Sequence, residues 1–320
     1  MIATGDVQSA VKHGRFSLWR ERNRARWRSA RESWRLFRRN PLGMLGLAII
    51  LLFGVMAIIH PILMSTVWNR AVYDPIVGYD LALKPHPTTP SATHLLGTDN
   101  FGRDVLSQLI AGARTSFGVG IVAAVVAVTI STLLGAAAAY FGGVTDLVLM
   151  GIADVFVLLP APVVMLILGL LLRLEWPLVA VGYGILTGLG GQAIVVKAQT
   201  LTVKVRPFIE AARIAGGGHT HIIRCHLLPS LVPIAIVHGI FTVVGAVLTE
   251  SLLSFFGRTS YHLSWGMMIW LGQETFRLFT TEGQWHAIVP PAMAITLYCA
   301  AFYLVGRALD DVFNPRLRGR

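Results

Sequence analysis

Apolar residues in this chain gather into long runs rather than into alternating or narrowly amphipathic patterns. Six runs are long enough for a helix crossing a hydrocarbon core, which needs about 20 mostly apolar residues. They cover 42–63, 116–141, 147–172, 178–197, 231–256 and 287–309. The fourth is diluted by Gly182, Gly184, Gly188, Gly190 and Gly191. In the second, Ala123, Ala127, Ser131, Gly135 and Ala139 recur every four positions on one helix face. Between helices in lipid there is no hydrophobic drive, so small residues that let backbones approach supply the packing. This face predicts a helix contact, either within the chain or at a dimer seam. Pro160 and Pro162 in the third run remove backbone donors and predict a kink.

Two polar segments stand out between the runs. The first, 64–112, is open and turn-rich around Pro85, Pro87 and Pro90, then tightens into HLLGTDNFGRDVLSQLIAGARTS. A turn at Gly97–Asn100 followed by a helix is expected there. The second, 201–229, contains PFIEAARIAGGGHTHIIRCHLLP. Pro207 suits the first turn of a helix, where a missing N–H costs nothing. Glu210 follows near the positive end of the helix dipole. Ala211, Ala212, Ile214 and Ala215 continue the helix, and Gly216, Gly217 and Gly218 stop it. At about 2.5 turns it is too short to be stable alone and needs a partner surface. A second helix should start near His219 and run into the fifth span past Pro229 and Pro233.

Composition makes the membrane reading firm. Hydrophobic residues are 54% of the chain, charged residues only 13%, and mean hydropathy is +0.65. A soluble domain would carry about a quarter charged residues. The expected fold class is an all-α, polytopic membrane protein with six transmembrane helices. The net charge of +11 alone would suit nucleic acid, but its distribution does not. Residues 1–40 hold eleven Lys/Arg against three Asp/Glu, with no recognised nucleic-acid module beside them. A basic block directly before the first span is the positive-inside signal, which puts the N-terminus in the cytoplasm. Six spans return the C-terminus to that side, and the closing RLRGR agrees. So do Lys204, Arg206, Arg213 and Arg224 in the loop after the fourth span.

Trp27, Ala30, Trp34 and Phe37 recur at helical spacing among Arg24, Arg28, Arg31, Arg35 and Arg38. This pattern predicts a basic amphipathic helix on the inner leaflet. It is not a cleavable signal peptide, because the first apolar run starts far from the N-terminus and lacks a small-residue cleavage site. The expected organisation is a cytoplasmic tail at 1–40, a first span at 41–63 and an extracytoplasmic segment at 64–112. A transmembrane core follows at 113–309 with a cytoplasmic loop at 198–230, and then a cytoplasmic tail at 310–320. Cys225 falls in the inner loop and Cys299 in the last span, so they should not pair.

Few groups could carry chemistry. Asp154 in the third span and Glu250 in the fifth are intramembrane acids, each a functional candidate by default. They would suit a proton-coupled transporter, yet no matching intramembrane cation is obvious. Asp99 and Asp104 could be an acid pair or a calcium loop, but EF-hand ligand spacing is absent, which favours a structural turn. His219, His221 and His226 invite a metal reading. Only Cys225 could complete such a site, so no metal is expected. A membrane enzyme would need reactive groups converging at one depth, and a secondary transporter would usually show repeats with matched broken helices. Neither pattern is found. No G-x-x-x-x-G-K-[ST] is present, so the chain cannot cradle nucleotide phosphates as a P-loop does.

The inner-loop spacing is specific. Glu210-Ala211-Ala212 is followed by three residues, Gly216, nine residues, and then His226-Leu227-Leu228-Pro229. This resembles the inner-loop signature of permease subunits of ABC-type importers. His226, where the family often has Ile, is similar to the peptide and nickel subgroup. Further similar stretches are RRNPLGMLGL (38–47), LGTDNFGRDVLS (96–107), YFGG (140–143), ESLLSFFG (250–257), SWG (264–266) and the closing D-x-x-x-P-R-L-R (311–318). The chain thus resembles the C-type permease of a dipeptide, oligopeptide or nickel importer.

The resemblance implies a type I ABC importer permease fold and a transport subunit rather than an enzyme. The helix at Glu210 would dock into a groove on a cytoplasmic ATPase subunit, with Pro207, Glu210, Ala211, Ala212, Arg213, Gly216, His226, Leu228 and Pro229 as coupling residues. Asp154, Pro160 and Glu250 become translocation or gating candidates. Asp99, Gly102, Arg103 and Asp104 belong to the outer segment. Implied partners are a second homologous permease forming a heterodimer, two ABC ATPase subunits, an extracytoplasmic solute-binding protein and the lipid membrane, but no nucleic acid. This chain would bind no cofactor; ATP and Mg would sit on the partner ATPases. The solute would be a di- or oligopeptide, with a nickel complex as the alternative. Departures from the family pattern are Gly151 in place of Arg, Gln192-Ala193-Ile194 in place of Tyr-Ala-Arg, RTSYHL after Gly257, and Arg307 after Gly306. They touch the channel edge and outer lip, and so bear on solute identity rather than on class.

Overall fold

The computed structural model describes residues 31–83, 86–257, 263–278 and 285–313. Pro85, most of RTSYHL, the final basic residues and the tail positions Arg24, Trp27, Arg28 and Ala30 lie outside the described residues. No strand occurs among those described; Thr98 and Asp104 form an isolated bridge. The helices are α1 (Pro41–Thr66), α2 (Arg70–Tyr73), α3 (Val105–Phe141), α4 (Gly143–Leu158), α5 (Ala161–Leu171), α6 (Trp176–Leu189) and α7 (Gly191–Lys204). They continue with α8 (Pro207–Ile214), α9 (His219–Phe255), α10 (Trp265–Leu278) and α11 (Trp285–Phe313).

By length and composition α1, α3, α9 and α11 can each cross a membrane alone. The pairs α4–α5 and α6–α7 are bent by 75° and 45° and can serve as broken spans, for up to six crossings. The kink expected in the third run is a full break: Leu159 and Pro160 are extended and α5 starts afresh at Ala161. Pro160 has no N–H to continue the helix and biases Leu159 away from the helical region. The second span also starts far earlier than the apolar run. Asp104 caps α3, so the polar stretch LSQLIAGARTS is already helix.

α3 is the axis of the bundle and packs against α6, α7 and α9. Its small-residue face is an internal contact, which resolves the two readings left open by sequence. Ala123, Ala127, Ser131, Gly135 and Ala139 are all buried. A Cβ added at Gly184 would lie 2.7 Å from the Ala123 carbonyl oxygen, and one at Gly135 would lie 2.5 Å from that of Ala193. Two of the glycines that dilute the fourth run, Gly184 and Gly188, are therefore part of the surface α3 packs on. Gly184→Ala is expected to destabilise the folded chain by about 1–3 kcal/mol through overpacking. A thermal-unfolding scan in detergent checks this, and an unchanged midpoint would refute the seam.

At one end of the bundle, Trp265 is fully buried with Phe53, Phe117 and Tyr298, and its indole N–H donates to the Leu109 carbonyl at 2.9 Å. At the other end, helical residues 31–37 lead into α1. Phe37 is buried against Val305, Ala308 and Val312 of α11, whereas Trp34 is half-exposed. The described part of the tail thus grips the last helix with one aromatic and offers the other outward.

Candidate functional site

The inner loop is built from two helices around one hub, Tyr140. α8 buries Ile209 completely with Tyr140, Ile222, Leu227 and Leu231, while Ala212 is half-buried against the same cluster. Phe208, Glu210, Ala211, Arg213 and Ile214 are exposed on its other sides, Ile214 at 83%. The end of α8 is a Schellman turn. Gly216 N–H donates to Arg213 O (2.9 Å) and Gly217 N–H to Ala212 O (3.0 Å). Gly216 has φ +81°, a conformation that favours glycine.

Tyr140 ties the loop to the end of α3. Its hydroxyl bonds His219 Nδ1 at 2.9 Å, and the Arg213 guanidinium lies 5.9 Å from its ring centroid. Lys204 Nζ donates to the carbonyls of Ala139 and Tyr140 at 2.9 Å each, a cation at the C-terminal end of the α3 dipole. His219 therefore faces Tyr140. His221 sits near Cys225 Sγ (3.7 Å) and the His226 ring. His226 packs against Phe208, Leu228 joins the Ile209 cluster, and Pro229 is exposed. Pro229 has no N–H for the Cys225 carbonyl and its ring crowds that carbonyl. The chain responds with a wide turn over Ile223–Leu227, where Leu228 N–H reaches back to Ile223 O.

The outer segment folds over the start of α3. Asp104 accepts from Ser107 N–H (2.6 Å) as the helix cap and bonds His94 Nδ1 at 2.7 Å; His94 Nε2 lies 3.2 Å from Asp80. His94 and Asp104 are buried. Asp80 also accepts from Ala82 N–H, and that bond, with His94, holds its carboxyl below the usual range. Burial, aided by Asp104 and Asp80, pushes the Tyr73 hydroxyl up. Asp99 accepts from the Phe101 and Arg103 N–H groups, from Arg103 Nε–H (2.7 Å) and from Gln108 (3.0 Å), and pairs with the Arg103 guanidinium. Gly102 (φ +76°) makes the intervening turn. Asp99 and Asp104 thus hold separate bonding sets, one a turn and the other a cap, and are not an acid pair.

A cleft of about 530 Å³ opens where the two broken spans meet. Leu159, Ala161 and Pro162 line it from one break, and Gly190 and Gly191 from the other. Tyr183, Thr187, Gln192 and His238 add polar groups, while Phe156, Val157 and Leu186 form an apolar wall. Non-helical backbone at membrane depth is tolerated where it is buried in protein or lines a hydrated cavity. Pro160 sits at the first break. Asp154 is exposed on α4 one turn before Leu158. Glu250 is elsewhere: it is wholly buried in α9 and accepts from Ser254 Oγ–H at 2.6 Å. The structure does not bring the two acids together. Below the cleft Lys197 Nζ bridges α7 to Asp146 of α4 at 2.6 and 2.8 Å. Sequence reading met Gln192 only as a departure from the family pattern and missed the cleft residues Thr187 and His238; polar side chains inside apolar runs were the available signal.

Residues 131–319 match the family described as binding-protein-dependent transport system inner membrane component. Residues 27–83 match the N-terminal TM domain of oligopeptide transport permease C. Similar curated proteins include the dipeptide transport system permease protein DppC of Bacillus subtilis, 35% identical over 90% of this chain and 86% of that protein. The oligopeptide transport system permease proteins OppC of Haemophilus influenzae (33% identical, 72% of this chain, 73% of that protein) and of Bacillus subtilis (30% identical, 98% and 94%) are also similar.

Proposed function

Because this chain belongs to the family of binding-protein-dependent transport system inner membrane components, we propose that it works as the membrane-spanning permease subunit of an ATP-driven importer of short peptides. The relatives named as dipeptide and oligopeptide transport permeases support the solute class. The observation that carries the coupling role is α8. Ile209 seats one side of it on the bundle, and Phe208, Ala211 and Ile214 are left exposed. With its Ile209 side already seated on the bundle, α8 presents these exposed apolar side chains as a surface for a partner. We assign the outward side to a groove on a partner ATPase, with Glu210 and Arg213 at its edge.

In this reading ATP and Mg bind to two ATPase subunits and not to this chain. ATP binding draws those subunits together, and α8 moves with its groove. The motion passes through the Tyr140 hub to α3 and through Lys204 to α7. The broken spans then change the access of the cleft, together with a second, similar permease. The outer segment receives solute from an extracytoplasmic binding protein. In this reading the N-terminal basic block keeps the N-terminus in the cytoplasm, and six crossings would return the C-terminus to the same side.

Purification from the native membrane in mild detergent tests the assembly. Recovery with a second permease and two ATPases, and ATP-dependent peptide uptake after reconstitution, is the expected result. A lone chain carrying solute down a proton gradient would overturn the reading, and uptake of nickel instead of peptides would correct the solute class.

A further inference from the structure

The helical segment 31–37 that precedes α1 has two unlike sides. At 3.6 residues per turn, Leu36 and Phe37 fall on one side, and Arg31, Trp34, Arg35 and Arg38 on the other. Arg38 N–H still donates to Trp34 O at 3.0 Å, so the helical register carries through it. The apolar side is already taken. Phe37 is buried with Val305, Ala308 and Val312 of α11, and Leu36 packs on the same cluster. A Cβ added at Gly43 of α1 would meet the Phe37 ring at 3.2 Å. Protein contacts thus fix the segment to the first and last spans, and it has no free apolar face to sink into lipid. The basic side is open. Arg31, Arg35, Arg38 and Arg39 are exposed, and none forms an ion pair among the described residues. Glu32 is the one acid in this stretch. Trp34, 48% exposed, stacks on Phe37 with ring centroids 5.8 Å apart.

We propose that this face binds anionic phospholipid headgroups of the bilayer, its guanidinium groups meeting their phosphates and Trp34 lying at the boundary with the chains. The connection to α1 argues for lipid. Only the turn Arg38–Asn40 separates the basic side from Pro41, where the apolar span starts. Arg307, exposed beside Ala308 on α11, adds a cation at the level where Phe37 docks. Long basic side chains and indoles at the end of a span belong to the headgroup layer. Basic clusters just outside a span attract anionic lipid, and guanidinium matches phosphate with two parallel hydrogen bonds. A zwitterionic headgroup has the same phosphate but cancels its charge, so the face selects lipids with net negative charge. With the N-terminus in the cytoplasm these are lipids of the inner leaflet. The proposal needs only that α1 crosses the membrane, and neither the solute class nor the ATPase contact.

The test uses the full-length chain with whatever subunits accompany it, reconstituted in nanodiscs of equal phosphatidylglycerol and phosphatidylcholine. Native mass spectrometry then reads the ratio of the two lipids retained on this subunit. Wild type is expected to retain phosphatidylglycerol preferentially. The triple variant Arg31→Gln, Arg35→Gln, Arg38→Gln should lower the ratio at least about tenfold, since one basic residue near an anionic surface is worth about fivefold. The matching triple Lys variant should keep most of the preference. All three side chains are exposed, so the thermal midpoint in detergent should not move. Equal retention of both lipids by wild type, or an unchanged ratio in the Gln variant, overturns the lipid site and leaves the permease reading standing. If the Gln variant inserts but loses its accompanying subunits, the face is a protein interface and the lipid site is likewise overturned.

Discussion

Gly216→Pro is expected to abolish solute uptake while the chain still inserts and folds its spans. Proline holds φ near −65° and cannot reach the +81° that Gly216 adopts. It also lacks the N–H that Gly216 gives to Arg213 O, and the Gly217 bond to Ala212 O depends on the same turn. The local cost is about 3 kcal/mol or more, enough to unwind a helix of eight residues. Gly216→Ala should be milder, at about 1–2 kcal/mol for an L-residue in the left-handed region, and should keep part of the uptake. Glu210→Lys probes the same surface without strain. Its carboxylate is exposed, and the dipole penalty of about 0.3–1 kcal/mol is too small to unfold α8. ATP hydrolysis by the assembly should then continue without uptake. Measuring both rates in proteoliposomes decides the matter: normal uptake by Gly216→Pro and Glu210→Lys would refute the coupling role of α8.

The second large effect lies at the opposite end of α3. Asp104→Ala removes the cap on Ser107 and the Nδ1 partner of a fully buried His94 in a single change, leaving only Asp80 on the other ring nitrogen. Leaving a buried donor without its acceptor costs about 1–3 kcal/mol, and losing a cap costs about 0.5–2 kcal/mol on its own. The outer segment between α1 and α3 should therefore open. Hydrogen exchange in detergent is expected to show lost protection in residues 91–107 with little change in α9. Asp104→Asn keeps the capping oxygen and should lose less. Native protection in Asp104→Ala would show that apolar packing of Tyr73 and Trp68, stacked at 5.4 Å, holds the segment without the cap.

The apolar runs reported where the helices are, because burial in lipid leaves a signal about 20 residues long that needs no tertiary information. Their starts were less legible. α3 begins at Val105 because Asp104 caps it, and a cap adds no hydropathy. The inner loop was nearly complete in sequence, since Pro207, Gly216 and the spacing to Pro229 act locally. Its hub was hidden, because Tyr140 and His219 lie far apart in the chain and meet only when α3 ends beside α8. The cleft was the least legible part. It depends on two breaks, at Pro160 and Gly190, facing each other, and no local pattern reports that. Gln192 was visible only as a departure from the family pattern, and the structure puts that departure on the cleft wall.

α3 runs unbroken for 37 residues, about 55 Å, from the outer segment to the inner loop. Each end is closed by a side chain of the right sign, Asp104 at the start and Lys204 at the finish. No proline interrupts it, whereas two of the spans packed beside it, α4–α5 and α6–α7, are broken. Mechanically it is a strut with hinged neighbours. Work done on its inner tip by an ATPase would reach the outer lip undiminished, and shape change would concentrate at the joints near Pro160 and Gly190. A crosslink across either joint should therefore freeze the machine more completely than one placed anywhere along the strut.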